Sequence, residues 1–71
     1  MPAQWTAELI GEMHLHGILA KHLAAEVGWH EKYLSAVLNG HRTPQKAEET
    51  LKAGLRRLIA DKQEVRGNVH T

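Results

Sequence analysis

Apolar residues recur along this chain at intervals of three and four, and no stretch alternates with a period of two over the length of a strand. The first set, Trp5, Leu9 and Met13, gives one face of a helix that Thr6 is placed to cap. Trp5 and Ile10 are spaced as a hydrophobic staple, and Pro2 allows an earlier start. Gly17 is the natural stop, because glycine accepts the left-handed conformation that ends helices. A second, shorter stripe carries Leu19, Leu23 and Val27 with Ala24 beside them, and it ends at Gly28. The third helix is expected to open at His30 or Glu31 and run to about Leu38, turning Leu34, Val37 and Leu38 inward. Asn39-Gly40 is a turn signal, since both residues tolerate positive φ. Thr43-Pro44 then reads as an N-cap followed by proline at the first helical position. Leu51, Leu55, Leu58 and Ile59 supply the apolar face of a fourth helix expected to end between Ile59 and Lys62. Gly54 inside it costs about 1 kcal/mol relative to alanine and marks close packing or a break.

The pattern predicts an all-α fold of four compact helices, with room for a fifth. Seventy-one residues hold one small domain, placed at 1–62, and 63–71 have no periodic face and are expected to form a flexible tail. The absence of cysteine excludes disulfides and thiolate metal sites. No apolar run approaches the roughly 18 residues a membrane helix needs, and the N-terminus has no basic stretch leading into an apolar core. A cytoplasmic protein is expected. The formal charge of +1 says little about a partner, but its distribution says more. Residues 1–19 carry only Glu8 and Glu12, whereas 20–46 set Lys21, Lys32, Arg42 and Lys46 against Glu26 and Glu31, with His22, His30 and His41 in addition. The middle of the chain is its basic part.

The second and third helices are each eight or nine residues long and meet at a turn of three or four residues containing Gly28, which is the spacing of a helix-turn-helix. Each requirement of that motif has a residue to meet it. Ala24 is small where a helix must cross over it, and Gly28 accepts the positive φ of the turn. Leu23, Val27, Trp29, Leu34 and Val37 are the apolar contacts that fix the angle between the two helices. Trp5 is expected as a second aromatic anchor.

The segment from Leu23-Ala24-Ala25-Glu26-Val27-Gly28-Trp29 through Tyr33-Leu34-Ser35-Ala36-Val37-Leu38-Asn39-Gly40-His41-Arg42-Thr43-Pro44 resembles the Cro/CI-type (XRE-like) helix-turn-helix family. The likeness is close over 18–44, and the first and fourth helices agree in position and length. His30 stands where the family commonly opens its recognition helix with Ser or Thr, and Leu19 and Ala20 stand where it often has a hydroxyl cap and Gln. The resemblance implies a phage-repressor-like domain acting as a sequence-specific, repressor-like transcription regulator of a prokaryotic or mobile-element kind. Its third helix would enter the major groove of double-stranded DNA, about 12 Å wide. Carried over residue by residue, it puts Glu31, Lys32, Ser35 and Ala36 towards the bases: Glu31 accepting from cytosine, Lys32 donating to guanine, Ser35 bonding a base or phosphate, Ala36 touching a thymine methyl. Lys21, His30, Asn39, His41, Arg42 and Lys46 are placed at the DNA backbone, with Lys46 on the first turn of the fourth helix. A homodimer on the DNA, association with the nucleoid, and no cofactor or small-molecule substrate complete the expectation.

Competing chemistry has thin support. His14 and His16 are two apart and diverge by about 200° on a helix, so they cannot share an ion. Ser35 beside a histidine is the one nucleophile-like pairing, and a regular helix gives it neither an oxyanion hole nor an orienting carboxylate. Tyr33 is open between phosphate contact and packing. Protonation of His22, His30 and His41 is expected to add positive charge to the DNA face near pH 6. A protein-interaction adapter on the same scaffold stays open as the alternative, with Glu31 and the near-neutral charge in its favour.

Overall fold

The computed structural model describes the backbone of residues 3–69 and the side chains of residues 3–62. Four α-helices follow one another: α1 (Gln4–His16), α2 (Ala20–Val27), α3 (Glu31–Leu38) and α4 (Ala47–Val69). No strand occurs among the described residues, and no helix there is long and apolar enough to cross a membrane.

The first three helices end in the same way. Beyond each lies a glycine with positive φ: Gly17 at 67°, Gly28 at 77° and Gly40 at 81°. The residue after each glycine donates its N–H five residues back, Ile18 to Met13 (2.8 Å), Trp29 to Ala24 (2.9 Å) and His41 to Ala36 (2.8 Å). These are Schellman closures, which satisfy carbonyls that the helix leaves unpaired. Of Asn39-Gly40, only the glycine turns left-handed; Asn39 keeps a φ of −91°.

Three helix starts differ from expectation. The cap position of α1 is Ala3, not Thr6. Thr6 lies in the first turn, buried, and its hydroxyl donates back to the Ala3 carbonyl (2.5 Å), so it fills a core place that the stripe gave to the half-buried Trp5. Leu19 does not belong to the buried stripe of α2. It precedes the helix in an extended conformation and is 55% exposed, while Ile18, the residue after the left-handed glycine, is buried in its stead. Thr43 is exposed and caps nothing. Between α3 and α4 the chain turns through Pro44–Ala47, with the Ala47 N–H donating to the Pro44 carbonyl (3.1 Å). Lys46 occupies the third place of that turn with φ 63°, and its own carbonyl accepts the first helical bond, from Thr50 (2.9 Å). Lys46 therefore precedes α4 instead of riding on its first turn. At its other end α4 runs on to Val69 rather than stopping between Ile59 and Lys62. The segment 63–71 expected as a tail lies outside the described residues in its side chains and, at 70–71, altogether.

The core is built on Leu23, Leu34 and Leu51, one from each of α2, α3 and α4, none retaining exposed surface. Leu9 and Met13 of α1, Val37 and Leu38 of α3, and Leu55 of α4 extend it, with Leu58 and Ile59 packed at its margin. Truncating a leucine so enclosed to alanine costs about 2–5 kcal/mol. Helix α1 lies alongside α4 in the same direction. Glu8, Leu9 and Glu12 form one wall of a groove whose other wall is Lys52, Leu55, Arg56 and Ile59. Further along, the Lys62 ammonium donates to the His16 carbonyl (2.7 Å), placing a cation at the negative end of α1. Helix α2 packs on both α3 and α4.

Candidate nucleic-acid interface

Three residues, Gly28, Trp29 and His30, separate α2 from α3. A Cβ at Gly28 would meet nothing within 4 Å, so glycine is required there by its backbone conformation and not by space. Trp29 follows, half-buried against the core, with its ring edge-on to Tyr33 (centroids 4.9 Å apart, 79° between planes). This aromatic pair is the setting of Tyr33, and it braces the turn against the first coil of α3. Leu23, Ala24, Leu34 and Val37 are buried and Val27 is half-buried, so the residues expected to lock the two helices are in the interior or at its edge.

The opposite side of α3 is open. Glu31, Lys32 and Ser35 are exposed and Ala36 is half-buried. Glu31, Ser35 and Asn39 follow at four-residue steps, and Lys32 and Ala36 form the adjacent row. The Asn39 side-chain amide donates both to the Ser35 carbonyl (2.9 Å) and to its Oγ (3.3 Å). That bond leaves the Ser35 hydroxyl proton pointing elsewhere as a free donor. Ser35, expected at the bases, and Asn39, expected at the DNA backbone, are joined through their spacing of four.

The charges are distributed as follows. Lys21, in the first turn of α2, Lys32, in the first turn of α3, and Arg42 and Lys46, in the loop before α4, are all exposed. Among the described residues the ion pairs are Lys52–Glu48 (2.6 Å) and Arg57–Glu26 (2.7 Å), and none of those four cations takes part. The second pair matters for the site. It was not foreseen, because its members lie 31 residues apart and meet only through the α2/α4 packing. It turns Glu26 towards α4 and leaves Glu31 as the uncompensated acid of the 20–46 segment. Lys46 sits in a different setting from the other three, bordering a pocket with Trp5, Thr43, Pro44, Glu48 and Glu49, so two carboxylates lie beside it. His30, His41 and Asn39 are exposed as well. No group of three metal-ligating side chains is found among the described residues.

Away from this side, Leu19 and the 79%-exposed Leu15 stand out of the surface. Leu19 borders an apolar hollow with Ile10, Met13, Ile18, Ala20 and Leu38, at the junction of α1, α2 and the end of α3. Compared with family models, with curated proteins and with solved structures, the chain matches none.

Proposed function

We propose that this chain is a sequence-specific DNA-binding regulator, repressor-like, that reads the major groove with α3. The observation carrying the reading is the division of α3 into two sides. Leu34, Val37 and Leu38 are buried while Glu31, Lys32 and Ser35 stand exposed on a helix held off α2 by a left-handed glycine. In support, the resemblance of 18–44 to the Cro/CI-type family falls on these elements. Lys32 is assigned to guanine, Ser35 to a base or phosphate through its free hydroxyl proton, and Ala36 to a thymine methyl. Lys21, Arg42 and Lys46, with Asn39, His30 and His41, are assigned to phosphates, which set register and not sequence. Regulation follows by occlusion, polymerase and α3 competing for one stretch of DNA. A single module buries about 600–1,000 Å² on DNA, so a pair of chains on half-sites about 34–36 Å apart is the arrangement that gives useful affinity.

Selection of bound sequences from random duplex DNA, followed by gel-shift titration at two salt concentrations, tests the proposal. Phosphate neutralisation by Lys21, Arg42 and Lys46 gives a log–log salt slope of about −2.7 per chain, or about −5 for a pair. Lys32→Ala should relax the preference at one base pair and cost about 1–3 kcal/mol. Absence of any enriched sequence, with Lys32→Ala indifferent, rejects the assignment. The exposed Leu19, which borders an apolar hollow, favours the second reading, an adapter that binds protein through that surface.

A further inference from the structure

Each helix of the α2–α3 unit begins with a backbone N–H bound to a histidine nitrogen. His30 occupies the cap position of α3, and its Nδ1 accepts the N–H of Lys32 at 3.1 Å. At α2 the cap residue is Leu19, which has no acceptor to offer, and His22 three residues on supplies the bond from the other side. Its Nδ1 accepts the Leu19 N–H at 3.4 Å, the return half of a capping box whose forward half a leucine cannot make. The distances rank the two: the His30 bond is the firmer.

The chemistry of imidazole gives these bonds two consequences. A neutral ring has one donor and one acceptor nitrogen, so an Nδ1 that accepts puts the proton on Nε2. In neutral His30 the ring N–H is therefore the one on Nε2. An imidazolium has two donors and no acceptor. A second proton therefore deletes the cap and sets a positive charge against the positive end of the helix dipole. Aspartate, asparagine or serine at the same place would cap at every pH near neutrality.

We propose that His30, seconded by His22, is a proton-sensitive clasp that seats α3 and α2 only while its imidazole is neutral. The bond exists only while Nδ1 carries no proton, so protonating the ring removes it. The charged neighbours do not counter this. Glu31 and Lys32 follow His30 directly, with opposite signs. On α2, Lys21 precedes His22, and Glu26 one turn on is engaged by Arg57 of α4. From α1, His14 borders the Leu19 end of α2. Among the described residues no hydrogen bond or ion pair ties either ring to a carboxylate that would hold its charge. The inference concerns the protein alone and stands whether or not DNA is its partner.

Thermal unfolding of the wild type, His30→Ala and His30→Asn between pH 8 and pH 5 tests it, and the differences between curves cancel every other titrating group. At pH 8 the wild type should melt about 4–8 °C above His30→Ala and close to His30→Asn. At pH 5 the gap to His30→Ala should have closed, and His30→Asn, which keeps an acceptor at both pH values, should lie above the wild type by a similar amount. If His30→Ala does not fold, the comparison with His30→Asn decides. Curves that stay parallel over this range overturn the proposal. Ring-nitrogen NMR of the wild type at pH 8 is a second readout: His30 should carry its proton on Nε2, and an Nδ1–H form would overturn the clasp outright.

Discussion

A Cβ built on Gly54 would lie 2.5 Å from Cγ1 of Val27 and 3.3 Å from Cδ1 of Leu23. Helix α4 can approach α2 this closely because one position in the middle of its buried face has no side chain. In an exposed helix interior, glycine to alanine would gain about 1 kcal/mol. Here the added methyl meets a β-branched side chain with few rotamers and a leucine with no exposed surface. Gly54→Ala should therefore destabilise, by about 1–2 kcal/mol net of the propensity gain. Val27→Ala should relieve much of that, so a double-mutant cycle by denaturant titration should give strong non-additivity. Additive effects would mean that the two helices separate easily.

Lys46 offers a case in which stability and binding should move in opposite directions. A left-handed conformation costs a non-glycine residue about 1–2 kcal/mol, and the third place of its turn is one that glycine or asparagine suits. Lys46→Gly should raise unfolding stability by about 0.5–1 kcal/mol, once the larger entropy of the unfolded chain is counted. On the proposed function the same change removes one phosphate contact and makes the salt slope shallower by about 0.9. Chemical denaturation and DNA titration on one preparation would read both.

How much of this could be read from the sequence depended on how local each signal is. The stops at Gly17, Gly28 and Gly40 were legible because a Schellman closure is decided within six residues. So was the division of α3, since its buried and open rows follow from one period over eight residues. Leu19 was misplaced because stepping back from Leu23 by four ignores where the helix opens; the glycine stop of α1 delivers Ile18 to the core one residue earlier. Thr43-Pro44 is a cap signal on composition alone, and the chain instead spends a left-handed lysine to turn. Arg57–Glu26 and the Gly54 crossing were beyond reach, because both depend on the packing of elements about thirty residues apart.

Leu19 in an exposed cap position is locally unfavourable, and that makes it a place to gain stability. Serine there could accept an N–H from the first turn of α2 while the Leu19 backbone keeps its bond to His22, completing the box. Leu19→Ser should raise the melting temperature by about 4–8 °C, equivalent to about 1 kcal/mol. A fall instead would show that the leucine contributes through the hollow it borders with Ile10, Ile18 and Leu38.

Helix α2 packs on both α3 and α4, and α3 joins the remainder of the fold chiefly by way of it. The exposed row of α3 is thus carried at second hand, like a tool on an arm whose shoulder is the glycine notch in α4. Loosening that shoulder should release the two short helices together, as one swinging unit, before α1 parts from α4.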